Sequence, residues 1–327
     1  MTDQQGSNGK KILLRGALGV LILLSLCLAL LAFLNTESRF ELGDLLAGPL
    51  FWHAVFLQCI ALALFILSWF LLLFFSDYER INYLEAAAHI GVTLVGKYLP
   101  GKLWGLLGRT YLLKQRKYAT AAAIEFLLAD QFLTFYTGIA VGGLSLLLAY
   151  NGRFFILALA VFVATSASIL LFYSGLISWL KKFARGLVKL AADSQGEELP
   201  EMVAVNRIGL LSAMFVYMVH WLAISLVLWM LYYPVLLSDP WFNALLLSAA
   251  IPLAMLSGFL AVWAPGGIGV REAVIVGILA LNLPLELAAS IAVTYRLICV
   301  MNDLATGAIA LAYYGGSGLQ PFRNQQP

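Results

Sequence analysis

Long apolar runs separated by short polar stretches occupy almost the whole chain. Residues 12–34, 50–75, 125–149, 153–176, 208–233, 241–263 and 287–313 each approach or exceed the ~20 residues that a helix needs to cross a bilayer core. Shorter apolar stretches lie at 84–99 and 268–283. The pattern predicts an all-α, polytopic helical membrane protein with about six to eight transmembrane helices. The expected organisation is a polar N-terminal tail over 1–11, one transmembrane domain over 12–314, and a Gly/Pro-punctuated, disordered tail over 315–327.

The polar stretches sort by charge, which sets orientation. The 35–49 loop carries Glu37, Glu41 and Asp44 against Arg39, whereas 76–117 carries Arg80, Lys97, Lys102, Arg109, Lys114, Arg116 and Lys117. The first is expected outside and the second in the cytoplasm, with both termini cytoplasmic. The run at 12–34 follows Lys10 and Lys11 like a secretory signal, but it is too long for one and reads as an uncleaved span. Lys181, Lys182, Arg185 and Lys189 open the main cytoplasmic loop, 181–207, as a basic amphipathic segment suited to an anionic leaflet.

Two interruptions break the apolar pattern from within, Leu99-Pro100-Gly101-Lys102 and Ala264-Pro265-Gly266-Gly267. Proline and glycine end helices, and backbone released at membrane depth is tolerated only inside protein or against a wet cavity. Re-entrant or broken helices at one or both motifs meet that demand. Gly101, Gly105 and Gly108 fall at i, i+4 and i+7, a small-residue stripe that permits close approach. After the second break a helix starting near Ile268 would aim its free N–H groups and positive dipole end into the gap, past Gly269, with Arg271 adding a full charge. The two motifs also suggest an internal repeat, roughly 84–149 and 249–313. If 241–263 and 268–283 are two spans the chain makes about eight crossings; if they form a hairpin it makes about six, and the second break lies deep in the membrane.

Composition sharpens this reading. Of 327 residues, 62% are apolar and 11% are charged, against about 25% charged in soluble domains, which excludes a water-soluble enzyme. Twenty basic against 17 acidic residues give no reason to expect a nucleic-acid partner. Cys27, Cys59 and Cys299 and the histidines His53, His89 and His220 are scattered, without metal-ligand spacing, so no metal or other cofactor is expected. No phosphate-binding GxxxxGK[ST] loop occurs. Six charges remain in or beside apolar sequence: Glu125, Asp130, Arg271, Glu272, Arg296 and Asp303. Each costs at least about 2.5 kcal/mol to insert, so pairing or function is expected, for example Arg271 or Arg296 with Glu125 or Asp130. Arg296 and Asp303, two turns apart, share a helix face.

The strings Leu99-Pro100-Gly101 with Trp104-Gly105 and Arg109, Glu125 with Asp130, and Pro265-Gly266-Gly267-Ile268-Gly269-Val270-Arg271-Glu272 followed by Tyr295-Arg296 and Gly307 resemble the lysylphosphatidylglycerol synthase transmembrane-region family, also called flippase-like. The resemblance covers about residues 10 to 315 and implies an inner-membrane protein that moves or handles anionic lipids. The bifunctional synthases of that family carry a soluble aminoacyl-transfer domain, and this chain ends about a dozen residues after its last span, so it is expected to be a stand-alone, non-enzymatic member.

The expected function is translocation of an anionic phospholipid or a polyprenyl-phosphate-linked lipid. The candidate path comprises Pro100, Gly101, Lys102, Arg109, Glu125, Asp130, Pro265, Gly266, Gly267, Gly269, Arg271, Glu272, Arg296 and Asp303. The competing readings are a non-catalytic partner of a lipid-modifying enzyme or a glycosyltransferase, and a membrane-embedded transferase acting on a lipid phosphate.

Overall fold

The computed structural model describes residues 50–98, 104–150, 152–171, 205–261 and 263–316, with isolated positions between 175 and 182. The expected first span, the 35–49 loop, Pro100, Gly101 and Lys102, the charged part of the 181–207 loop and the C-terminal tail lie outside the described residues. Regular structure among those described is helical: α1 Phe51–Phe74, α2 Tyr83–Gly96, α3 Trp104–Gln115, α4 Thr120–Tyr150, α5 Gly152–Leu171, α6 Arg207–Leu231, the single turn α7 Tyr233–Leu236, α8 Pro240–Leu260, α9 Val270–Leu279 and α10 Leu285–Gly316. Five of them, α1, α4, α6, α8 and α10, are long and apolar enough to span a membrane.

The helices begin where sequence chemistry provides caps. Asn82 accepts the Glu85 N–H at the start of α2, Asn206 accepts from Ile208 at the start of α6, and Asp239 accepts from Phe242 at the start of α8. Their apolar faces close two cores. One gathers Leu228, Leu246, Ile251, Ile275, Leu279 and Ile291 from α6, α8, α9 and α10. The other gathers Trp69, Leu73, Ile90, Leu113, Phe126 and Leu133 from α1 to α4. In lipid, packing rather than water exclusion brings helices together, and small residues set the closest approaches. Gly91 packs directly on the Thr306 backbone, joining α2 to α10, and a Cβ at Gly307 would lie 2.9 Å from Val95.

Two helical hairpins dominate the topology. α2 and α3 run antiparallel with Gly96 against Gly105, where a Cβ would come within 2.5 Å of the opposite backbone. A Cβ at Gly108 would meet the Val92 side chain at 2.5 Å, so Gly105 and Gly108 of the glycine stripe face their own hairpin partner. The open end of this hairpin is closed by Arg116, which donates from Nε and Nη2 to the two oxygens of Glu85, each at 2.7 Å. Hydrogen bonding to Glu85 is the main cause that raises the pKa of the Arg116 guanidinium above its ordinary value. α8 and α9 form the second hairpin, whose open end is tied by Asn282 donating to Asn243 at 2.9 Å. α9 has 10 residues, about 15 Å of helix, too short to cross. The second pair is therefore a hairpin rather than two spans.

The hairpins enter from opposite ends. The 32 residues of α10 make a rod of about 48 Å. Its first turns lie beside Tyr232, which bonds Ser290 and Thr294, and follow directly on Asn282. Its far end places Tyr313 on Glu85 and Asn82. Each hairpin is followed by a long helix, α4 after the first and α10 after the second, so the suggested repeat appears as element order with inverted entry.

Candidate functional site

The hairpin tips meet beside the middle of α10. The Gly266 N–H donates to Lys97 O at 3.2 Å, linking the second break to the end of α2. Around this contact stands a ring of charge, buried at Arg271, Arg296 and Asp303 and half-buried at Lys97 and Glu272. Lys97 Nζ lies 2.7 Å from Asp303 Oδ1, and the Tyr98 hydroxyl donates to Asp303 Oδ2 at 2.5 Å. Two turns earlier on α10, Arg296 Nη1 donates to Gly266 O at 3.0 Å while its Nε lies 3.6 Å from Glu272 Oε1. The other Glu272 oxygen accepts the Gly269 N–H at 2.7 Å. Glu272 thus occupies the dipole end that the sequence left open for an external anion.

Local chain geometry explains why these residues can gather. Gly266 and Gly267 have φ of +60° and +72°, the left-handed region that residues with a Cβ disfavour. A Cβ at Gly267 would also stand 2.9 Å from the Gly258 backbone. With both positions bare, the Arg271 side chain lies in a slot against Gly258 and Gly267. It is 6% exposed, and its Nε and Nη1 have no hydrogen-bond partner. Tyr295 is buried one helical turn before Cys299. Lys97, Arg271 and Arg296 therefore face Glu272 and Asp303, an excess of one positive charge among the described residues. A cavity of about 50 Å³ opens onto the ring, lined by Phe65, Lys97, His220, Tyr295, Cys299 and Asp303 among others.

A second buried cluster lies nearer the open end of the first hairpin. Arg109 Nη1 donates to Asp130 Oδ2 at 3.1 Å, Tyr217 donates to Asp130 Oδ1, and the guanidinium stacks 3.6 Å above the Trp69 ring. This joins α3 to α4, α6 and α1. Glu125 is buried and accepts the Val205 N–H just before α6. The expected pairing of Arg271 or Arg296 with Glu125 or Asp130 does not form. Asp130 takes Arg109 instead, because the first hairpin brings α3 against α4, whereas Arg271 and Arg296 belong to the second hairpin and α10.

Of the residues singled out from sequence, the tips unite Gly266, Gly267, Arg271, Glu272, Arg296 and Asp303. Pro265 opens the 3-10 turn of the second tip and Gly269 caps α9. Arg109, Asp130 and Glu125 are placed elsewhere. Sequence reasoning passed over Lys97, Tyr98 and Tyr295 as parts of the site. The first two carried a signal, a lysine and a tyrosine ending an apolar run directly before Pro100. Tyr295 carried none beyond its neighbour Arg296. Among the described residues no three His, Cys, Asp or Glu side chains cluster as metal ligands.

The arrangement of two opposed hairpins around buried cations has a counterpart in sequence space. The family model described as lysylphosphatidylglycerol synthase TM region matches residues 12–307. The chain belongs to that family. No curated protein matches it. The match to the lysylphosphatidylglycerol synthase TM region takes in both hairpins, α10 through Asp303, and the buried charges of both clusters. Together with the five spanning-length helices it makes the protein a multi-pass membrane protein, in a family associated with membrane lipid handling.

Proposed function

We propose that the protein is a lipid translocase of the cytoplasmic membrane, non-catalytic by itself, that carries the headgroup of an anionic lipid past the two hairpin tips while the acyl chains stay in lipid. The observation that supports this reading is the contact of Gly266 with Lys97 at a ring with one positive charge in excess among the described residues. A buried, uncompensated cation is costly in hydrocarbon, and an entering anion relieves that cost. Opposed hairpins supply two gates around one site, one reached from each face. Arg80, Lys114, Arg116, Lys117 and Arg207 belong to the open end of the first hairpin, against Arg153, Asp239 and Glu286 at the other, and this excess of basic residues favours a cytoplasmic first end.

The test is movement of fluorescent phosphatidylglycerol between leaflets of liposomes holding the purified protein, followed by quenching from outside. Movement faster than in protein-free liposomes is expected. Lys97→Ala and Arg296→Ala should each slow it about tenfold, the cost of losing one charged hydrogen bond at the ring. Failure of the protein to move this lipid, or a polyprenyl-phosphate lipid, would return the reading to a non-catalytic partner of a lipid-modifying enzyme.

A further inference from the structure

The cavity beside the ring has a wall that the ion pairs do not explain. His220 reaches it from α6, Lys97 from the end of α2 and Asp303 from α10, while Leu62, Phe65 and Met255 make much of the remaining lining apolar. Asp303 is engaged by Lys97 Nζ at 2.7 Å and by the Tyr98 hydroxyl. His220 is engaged on one side only. Its Nδ1 lies 2.8 Å from the Ala61 carbonyl oxygen, which can only accept, so Nδ1 carries the proton and Nε2 of the neutral ring is a bare acceptor. The rings of Phe65 and Trp221, each with its centroid 5.2 Å from that of His220, hold the imidazole in this orientation. Among the described residues Nε2 has no hydrogen-bond partner.

We infer that the cavity is a subsite for a hydroxyl group on the headgroup of the lipid, and that His220 is the residue that selects it. This deepens the proposed function and rests on it. Lys97 belongs both to the ring and to the cavity, so a phosphodiester held by Lys97 brings the next carbons of its headgroup arm to the cavity. The arm can end in carbon, in ammonium or in hydroxyl. A carbon end leaves Nε2 desolvated without a donor, which is costly. An ammonium adds a second full positive charge beside Lys97, while the carboxylate on the cavity, Asp303, already answers Lys97. A hydroxyl donates to Nε2 and adds no charge. Volume sets the size of the arm: about 50 Å³ holds about three waters at roughly 15 Å³ each, which suits a hydroxymethyl or hydroxyethyl end and excludes a sugar ring.

Binding of short-chain lipids to the full-length protein in detergent decides the matter. Dihexanoylphosphatidylglycerol and dihexanoylphosphatidylpropanol carry the same charge and the same number of headgroup carbons, and differ only in hydroxyls. The glycerol lipid should bind about tenfold more tightly than the propanol lipid, and more tightly than dihexanoylphosphatidylethanolamine with its ammonium arm. His220→Asn keeps an amide donor for the Ala61 carbonyl but removes the Nε2 acceptor, so it should cut the preference to about twofold or less. A histidine that only ties α6 to α1 would leave the preference intact in that variant. The comparison of the two anionic lipids on the unaltered protein serves even where His220→Asn unfolds. Equal binding of the glycerol and propanol lipids, or a preference retained in folded His220→Asn, overturns the subsite. Tighter binding of the ethanolamine lipid overturns the hydroxyl. Binding of neither anionic lipid overturns the proposed function as well, whereas a hydroxyl preference without lipid movement in liposomes supports the subsite and counts against translocation alone.

Discussion

At the residue scale, the six charges that the sequence left in apolar surroundings have different duties. Arg109 and Asp130 are among the most buried ionisable groups, 1% and 2% exposed; Tyr217 bonds Asp130 and Trp69 stacks on Arg109, whose Nε and Nη2 have no hydrogen-bond partner. Such a pair fixes which helices meet. Removing one partner strands a charge, while replacing both removes the desolvation cost as well. Asp130→Leu alone should therefore destabilise the protein by about 3 kcal/mol, whereas Arg109→Met with Asp130→Leu should recover most of that loss. Thermal unfolding in detergent measures both. If the double variant also retains lipid movement, the pair is structural, as its distance from the hairpin tips implies. Glu125 belongs with it: its carboxylate holds the chain entering α6.

At the scale of elements, the Pro-Gly motifs were legible as breaks that end re-entrant or broken helices. The sequence allowed the second motif to join two spans or to turn a hairpin. The 10-residue length of α9 favours the hairpin. Consequently cysteines introduced at Asp239 and Asn282, in a background without native cysteines, should react with an impermeant maleimide from one face of sealed vesicles. Cysteines at Lys114 and Asn206 should react only from the other face. A cysteine at Gly269 separates the alternatives: a hairpin leaves it shielded or reachable only from the Asp239 side, and labelling from the Lys114 side would mean that α8 and α9 both cross. The glycines of the first hairpin were readable as a stripe, yet their partner was not. Spacing reveals a smooth face, and only the folded chain reveals that α2 covers it.

At the scale of the whole molecule, two hairpins of opposite entry, each followed by a long helix, converge on α10. Movement of a headgroup past the tips requires at least one hairpin to shift relative to that helix. Gly307 lies close against Val95, where a Cβ would stand 2.9 Å from a Val95 methyl, so side chains at the two positions meet. Val95→Cys with Gly307→Cys should therefore crosslink α2 to α10 under mild oxidation and stop lipid movement, and reduction should restore it. Continued movement in the fully crosslinked protein would place the motion in the second hairpin. The family match spans both hairpins and so concerns this whole architecture rather than one motif.

The sequence by itself determined the solvent and the class of the protein, because run length and charge scarcity are properties that a bilayer reads locally, one helix at a time. It also marked the two places where helices must end inside apolar sequence, since proline and glycine act on their own backbone. Tertiary structure decided which charges neighbour which. Asp303 belongs to Lys97 across more than two hundred residues, and Asp130 to Arg109 rather than to the second-hairpin arginines. These pairings depend on how the hairpins enter, and entry direction is settled by packing between distant helices, on which no local pattern bears. The same packing turned Arg271, one arginine among the twenty basic residues, into the buried cation that two glycines house and no carboxylate answers.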